Sequence, residues 1–118
     1  YSIAFENTVA PLYFTEKLMD CFVCGTMPFY FGDPDLEKRF PPGSFIRIDP
    51  EDPKVFDMIR DVISSDLYRE READIAEARH LVLTRYNMYR ILAEKMLEAA
   101  KQPPSSSQLL VIERQSVL

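Results

Sequence analysis

Four polar side chains near the start of the chain offer the chemistry of an anion-binding site. They are an amide, a phenol, a carboxylate and an ammonium group: Asn7, Tyr13, Glu16 and Lys17. The ammonium group can offset the charge of a phosphate, and the carboxylate can accept hydrogen bonds from sugar hydroxyls, while the amide and the phenol can orient a ligand. This set predicts a site for a phosphorylated sugar or a nucleotide. The alternative is a Thr-capped helix that carries a solvated Glu–Lys pair.

These side chains lie where a predicted strand leads into a predicted helix. Residues 2–5 are typical of a short buried strand, and residues 8–13 of a loop. Thr15 is a predicted N-cap for a helix that reaches residue 24, because its hydroxyl oxygen can accept from the first free N–H groups. Ligands of open α/β sheets bind beyond the carboxyl ends of strands, near helix N-termini. We therefore expect an anion here, held partly by free backbone N–H groups of residues 15–18.

The composition of the chain changes after residue 53. All three glycines, seven of nine prolines and seven of eight phenylalanines lie in residues 1–53, whereas residues 54–102 contain neither Gly nor Pro. Gly and Pro punctuate strands and turns, and their absence favours uninterrupted helix. We therefore divide the chain into a strand-and-turn part with the ligand motif (1–53), C-terminal helices of the same domain (54–102) and a tail (103–118).

The predicted order of elements indicates an α/β fold. Two further strands are expected over residues 27–31 and 44–48, then a helix over 53–65, then either one long helix over 67–101 or two helices broken near Asn87. Short parallel strands followed by long helices resemble the later portion of an α/β sheet. Three short strands are few for an independent parallel sheet, and the first residue is not Met. We therefore expect a piece of a longer protein.

Composition excludes several classes of protein. The 118 residues carry a net charge of −5, a pI of about 4.9, 47% hydrophobic and 28% charged residues, which suits one globular domain. An acidic balance argues against nucleic-acid binding, and no apolar run approaches the roughly 18–20 residues of a membrane span. Cys21 and Cys24 would share one helix face as core residues. With His80 as the only histidine, four zinc ligands of N and S type cannot be assembled.

Four further residues carry predictions of their own. Glu6 has two open roles, either closing the loop through a backbone hydrogen bond or touching the ligand. Tyr30 alternates with predicted core residues of its strand and is a candidate to face the ligand cleft. Asp33 and Asp35 are expected in a solvated, proline-bounded turn.

Four ordered blocks resemble the donor-binding half of the α-1,3/1,4-fucosyltransferases. The blocks are FENT (5–8), YFTEKL (13–18), GTMPFYFGDP (25–34) and FPPGSFI (40–46). The pattern of that family reads roughly FENS, YxTEK, GxxPxYxGxP and PPxSFI, so Thr8 stands where Ser is commoner. The resemblance spans residues 1–46, whereas residues 47–101 fit it only as trailing helices.

The resemblance implies a GT-B glycosyltransferase, of which this chain would be part of the Rossmann-like C-terminal half. The implied reaction is an inverting transfer of L-fucose from GDP-L-fucose to a hydroxyl of an N-acetylglucosamine-type glycan acceptor, with no metal or other cofactor. By position, Asn7, Tyr13, Glu16 and Lys17 match the donor-contacting residues of the family, with Glu16 on the ribose hydroxyls and Lys17 near the diphosphate.

The resemblance also implies what this chain lacks. The general base of the family is a carboxylate of the N-terminal acceptor domain, so no catalytic residue is assigned here, and the chain alone is not expected to be a competent transferase. Two helical cysteines do not require an oxidising compartment. A cytoplasmic, bacterial-type enzyme is therefore expected, with a Golgi-lumen enzyme anchored upstream as the alternative.

Two other functions stay open at this point. One is a GT-B domain for a different nucleotide sugar, because no residue in this sequence can be assigned to guanine or fucose. The other is a non-catalytic helical interaction module, which the predicted helix over residues 67–101 would provide. The unpaired edge of a partial sheet also predicts self-association.

Overall fold

A computed structural model describes residues 1–101 of the chain as an α/β fold. The described part contains three strands and five α-helices: β1 (Ser2–Phe5), α1 (Glu16–Val23), β2 (Pro28–Phe31), β3 (Ile46–Arg47), α2 (Val55–Ile63), α3 (Leu67–Glu70), α4 (Glu72–Thr84) and α5 (Met88–Ala100). Two 3₁₀ turns, Leu36–Lys38 and Pro42–Ser44, lie between β2 and β3. The predicted tail (103–118) lies outside the described residues.

The three strands form one parallel sheet in the order β1-β2-β3. Ile3 lies beside Phe29, which in turn lies beside Ile46. Parallel neighbours need a crossover connection, and α1 provides it between β1 and β2. Within residues 1–101, β1 and β3 each pair on one side only, and Ile3 is 60% exposed. Self-association through such an edge stays a prediction.

Helices cover both faces of the sheet, and successive side chains of a strand point to these opposite faces. Tyr30 belongs to one core, which includes residues of α1 and α4. Its neighbour Phe29 belongs to a second core with Ile48 and with Val55 of α2. A parallel sheet covered on both faces is the arrangement expected of α/β proteins and is compatible with part of a Rossmann-like domain.

The single long helix predicted over residues 67–101 is wrong, and the alternative of a break near Asn87 is confirmed. The Asn87 side chain accepts a hydrogen bond from the Arg90 N–H at 3.1 Å and thereby caps α5. A further break separates α3 from α4, and Asp66, which precedes α3, makes no capping hydrogen bond to it. Within residues 1–101, no helix combines the length and the apolar character needed to cross a membrane.

The chain forms two compact units, and each is described by itself. The first comprises residues 1–86 and holds the sheet and helices α1–α4. Helix α4 lies against α1 in this unit, with Ile75, Ala78 and Val82 buried. The second begins at Asn87, and its helix α5 exposes large apolar side chains such as Tyr89.

Local differences from the sequence predictions have simple causes. The strand predicted over residues 44–48 is only two residues long, because Ser44 closes a 3₁₀ turn in which its hydroxyl donates to the Pro41 carbonyl. The first residue of α2 is Val55 rather than Pro53. Cys21 is buried as predicted, but Cys24 is exposed at the end of α1, so its prediction as a core residue is wrong.

Candidate functional site

The residues that follow β1 connect the sheet to the first turn of α1. Glu6 and Asn7 leave the strand on opposite faces: Glu6 is buried (4% exposed) and Asn7 is exposed. Each reaches the start of α1, where Glu6 contacts Thr15 and Asn7 contacts Lys17. Two consecutive residues thus fix the same helical turn, one from inside the molecule and one from its surface.

Thr15 is the N-cap of α1, as the sequence predicts. Its hydroxyl oxygen accepts a hydrogen bond from the Lys17 N–H at 3.4 Å. Its own N–H and its hydroxyl both donate to the Glu6 carboxylate, each at 2.8 Å. The N–H groups of Thr15 and Lys17 therefore have protein partners, and the expectation that both are free to hold an anion is wrong. Among these residues, it is the Lys17 side chain that carries positive charge toward the surface.

Two of the four predicted ligand-binding side chains are in direct contact. The Lys17 ammonium donates a hydrogen bond to the Asn7 side-chain carbonyl at 3.1 Å, and both side chains are exposed. An amide oxygen orients an ammonium group without cancelling its charge. The charge of Lys17 thus stays available to an anionic ligand.

Tyr13 and Glu16 occupy exposed positions on the segment that leads into α1. Tyr13 is 39% exposed, and its N–H donates to the Ala10 carbonyl at 3.2 Å in a tight turn. Leu12, just before it, has a φ of 68°, a left-handed conformation that non-glycine residues rarely adopt. Glu16 is the first residue of α1. The structure thus puts Asn7 and Lys17 together and sets Tyr13 and Glu16 on the adjoining surface.

A buried polar cluster lies at the end of β2, and it corrects two predictions. The hydroxyl of Tyr30 accepts a hydrogen bond from the Asp33 N–H at 2.8 Å, and the Tyr30 side chain is fully buried rather than facing a cleft. Asp33 is fully buried rather than solvated, since its carboxylate pairs with Arg39 at 2.9 Å and accepts from the Asp35 N–H. Burial, with smaller contributions from the charges of Glu6 and Asp33, raises the pKa of Tyr30 to about 12.

Gly32 lies between this cluster and Glu6. A Cβ atom on Gly32 would lie 2.4 Å from the Tyr30 hydroxyl oxygen and 2.6 Å from the Glu6 Cγ atom. Both distances are too short for any side chain at this position. The glycine therefore allows the ends of β1 and β2 to pack closely beside the first turn of α1.

The end of β3 carries a second basic residue, which is already paired. Arg47 donates two hydrogen bonds to the carboxylate of Glu37, at 2.5 and 2.6 Å, and this interaction lowers the pKa of Glu37. Over residues 1–101, no three His, Cys, Asp or Glu side chains converge in a way that could hold a metal ion. His80 is exposed on α4.

Sequence reasoning missed two features of this region. The ion pair of Asp33 with Arg39 joins residues that the turn Leu36–Lys38 brings together, and a turn of that kind leaves little trace in the sequence. The close approach at Gly32 had a signal, because a glycine directly after a run of aromatic strand residues often marks close approach of another chain segment.

Comparisons with known proteins agree with the resemblance. The family model described as "Glycosyltransferase family 10 (fucosyltransferase) C-term" matches residues 1–65. An alpha-(1,3)-fucosyltransferase, FucT, from Helicobacter pylori is 40% identical over 63 residues, which are 53% of this chain and 13% of that protein. The match thus spans a small part of the length of this relative. No solved structure matches the chain at a significant level.

Proposed function

The chain belongs to glycosyltransferase family 10, the fucosyltransferases, and we propose that its β1–α1 segment binds the nucleotide-sugar donor GDP-L-fucose. The observation that carries the proposal is the contact of Lys17 with Asn7, which holds an exposed cation beyond the carboxyl end of β1. Ligands of open α/β sheets bind at such ends. In this proposal Lys17 lies against the diphosphate, Asn7 and Tyr13 donate or accept hydrogen bonds near it, and Glu16 accepts from the ribose hydroxyls.

The proposed reaction is an inverting displacement at C1 of fucose. The acceptor hydroxyl oxygen forms a bond to C1 while the bond from C1 to the phosphate oxygen breaks, and GDP departs with that electron pair. Negative charge grows on the departing diphosphate, and a fixed cation stabilises it more strongly than it stabilises the intact donor. Lys17 would therefore lower the barrier as well as hold the donor.

The acceptor hydroxyl must also lose its proton, and we propose that a carboxylate outside this chain takes it. The proposed acceptor is an N-acetylglucosamine-type glycan, and the proposed reaction needs no metal ion. Similarity to the C-terminal part of the family and a parallel sheet with helices on both faces support a place in the Rossmann-like donor domain of a GT-B enzyme. A donor other than GDP-L-fucose is the alternative that nucleotide preference decides.

The test is calorimetric titration of the purified 118-residue chain with GDP, GDP-L-fucose and UDP. We expect GDP and GDP-L-fucose to bind and UDP to bind much more weakly. Lys17→Ala should weaken binding strongly, whereas Lys38→Ala, which removes an exposed lysine 72% accessible to solvent, should leave binding unchanged. Equal binding of GDP and UDP would favour another nucleotide sugar. A folded chain that binds none of the three would contradict donor binding by this segment.

The structure removes part of the support for the non-catalytic helical module, although α5 exposes large apolar side chains such as Tyr89. The long helix that motivated it is three helices, and α4 is packed against α1 with its Ile75, Ala78 and Val82 side chains buried. A helix whose apolar face is already covered does not offer that face to a partner. Donor binding is therefore the function that the described residues support best.

A further inference from the structure

Glu6 is a buried residue that hydrogen bonds hold to the sheet on one side and to the N-cap of α1 on the other. Its backbone N–H donates to the Phe31 carbonyl at 2.9 Å, which extends the pairing of β1 with β2. Its two carboxylate oxygens accept one hydrogen bond each from the N–H and the hydroxyl of Thr15, both at 2.8 Å. The residue thus ties the sheet to the N-cap of α1 by three hydrogen bonds.

The Glu6 carboxylate accepts hydrogen bonds from Thr15, the N-cap residue that orders the first turn of α1. The Thr15 hydroxyl donates to Glu6 and accepts from the Lys17 N–H at 3.4 Å, so one oxygen joins the carboxylate to the backbone of Lys17. A negative charge at a helix N-terminus is favourable because the helix dipole is positive there. Both oxygens find donors, as an ionised carboxylate needs when it is buried.

The surroundings are shaped to admit this side chain. Gly32 has no Cβ, and a Cβ there would lie 2.6 Å from the Glu6 Cγ atom. Glu6 is 4% exposed, so its carboxylate lies beneath the surface that Asn7 and Lys17 form rather than on it. This placement suits contact with the helix and not with a ligand on that surface.

We propose that Glu6 is a positioning residue for the donor site. By holding Thr15, it fixes the first turn of α1 and so sets where the Lys17 ammonium and the Glu16 carboxylate stand; it does not itself touch the nucleotide. The inference rests on the proposed function, because it concerns how donor affinity is achieved. In this proposal Glu6 aligns the site from inside the molecule, and the exposed side chains of Asn7 and Lys17 bind the donor.

The first experiment tests the hydrogen bonds between Glu6 and Thr15 without any nucleotide. In ¹H–¹⁵N spectra of the chain, Glu6→Ala should shift the Thr15 and Lys17 amide signals upfield and speed their hydrogen exchange. Asp20→Asn, which removes an exposed carboxylate on the same helix, should leave both signals in place. Unshifted Thr15 and Lys17 signals in Glu6→Ala would overturn the proposal.

The second experiment measures GDP affinity by calorimetry. Glu6→Ala should bind GDP about tenfold more weakly. A tenfold change in affinity equals the free energy that about one to two hydrogen bonds contribute. Val82→Ala is a core variant on α4 that lowers stability and leaves the hydrogen bonds between Glu6 and Thr15 in place. It should bind GDP as the unchanged chain does. Equal weakening in Val82→Ala would reduce the role of Glu6 to general stability and overturn the proposal.

A double-mutant cycle separates alignment from direct contact. If Glu6 acts through the first turn of α1, Glu6→Ala should cost little further affinity in a Lys17→Met background. Fully additive losses would mean independent contact of Glu6 with the nucleotide and would overturn the proposal. Failure of the unchanged chain to bind GDP would instead refute the proposed function, and the role of Glu6 would fall with it, even with the amide signals behaving as expected.

Discussion

Lys17 and Asn7 are joined across the β1–α1 junction by a hydrogen bond of 3.1 Å between the ammonium and the side-chain carbonyl. The two residues are ten positions apart, and the strand end and the first helical turn bring them together. An amide partner keeps the charge of the ammonium intact, whereas a carboxylate partner would largely neutralise it. The identity of residue 7 therefore governs how much positive field the site presents.

Asn7→Asp should weaken GDP binding more than Asn7→Ala does. The aspartate would pair with Lys17 and repel the diphosphate, whereas alanine leaves the ammonium charged but less well oriented. We expect about a tenfold loss of affinity for Asn7→Asp, which corresponds to about 1.4 kcal/mol, and a smaller loss for Asn7→Ala. Titration calorimetry at low and moderate salt measures both, and the difference should shrink as salt screens the charges.

Asn87→Asp is the matched control, because it makes the same substitution at the N-cap of α5, outside the β1–α1 segment. It should leave GDP affinity unchanged. Equal affinities of Asn7→Asp and Asn7→Ala at low salt would show that the charge of Lys17 is not what the site uses.

Gly32→Ala should destabilise the chain through steric conflict. The new Cβ would lie 2.4 Å from the Tyr30 hydroxyl oxygen and 2.6 Å from the Glu6 Cγ atom, both fully or nearly buried. Overpacking of this kind costs about 1–3 kcal/mol, and urea unfolding should show it as a lower midpoint.

Gly25 gives the contrasting case. It has a φ of 67°, but nothing lies within 4 Å of the Cβ position. Gly25→Asn should therefore cost only a few tenths of a kcal/mol, because Asn tolerates the left-handed conformation. A loss for Gly32→Ala no larger than that for Gly25→Asn would argue against the close packing at Gly32.

The sequence predicted the elements around the site because local signals determine them. Thr15 in front of an amphipathic stretch predicts an N-cap, and the structure confirms it. Strand β1 is confirmed at its predicted bounds, since four residues before a polar turn leave little freedom. The family resemblance is confirmed by a match over residues 1–65. The assignment of Asn7, Tyr13, Glu16 and Lys17 to the donor stays a prediction.

Features that depend on long-range packing could not be predicted from the sequence. Burial of Asp33 follows from its pairing with Arg39 across a 3₁₀ turn, which composition describes only as a polar loop. Burial of Tyr30 follows from which face of β2 the helices α1 and α4 cover. Alternation along the strand gives two faces but does not say which helices cover each of them.

The ion pair of Asp33 and Arg39 should be worth more to stability than any exposed pair of the chain. Asp33 is fully buried, and Arg39→Ala would leave its charge without a counter-charge at a cost of about 3 kcal/mol. Asp33→Asn added to Arg39→Ala should restore part of the stability, since an amide needs no counter-charge and still accepts from the Asp35 N–H. Urea midpoints of the single and double variants measure this.

Arg60→Ala is the control for that prediction. It removes an arginine that pairs with Asp57 at 3.1 Å, where both side chains are about 70% exposed. Such pairs contribute about 0–1 kcal/mol, so this variant should unfold close to the unchanged chain. A double variant less stable than Arg39→Ala alone would mean that the Asp33 carboxylate is favourable even without its partner, against this prediction.

Tyr30 should make the chain less stable at high pH. Burial raises its pKa from 10.0 in an exposed tyrosine to about 12 in the folded chain. Below pH 10 the phenol is protonated in both states; between about pH 10 and 12 the unfolded chain loses the proton and the folded chain keeps it. The free energy of unfolding should therefore fall by about 1.4 kcal/mol per pH unit over this range from this group alone.

Urea unfolding of the unchanged chain and of Tyr30→Phe, from pH 9 to 11.5, isolates the contribution as the difference between the two slopes. Tyr89→Phe removes a phenol that is 85% exposed and should keep the slope of the unchanged chain. If Tyr30→Phe keeps that slope as well, the hydroxyl titrates equally in both states and its burial does not disfavour the phenolate.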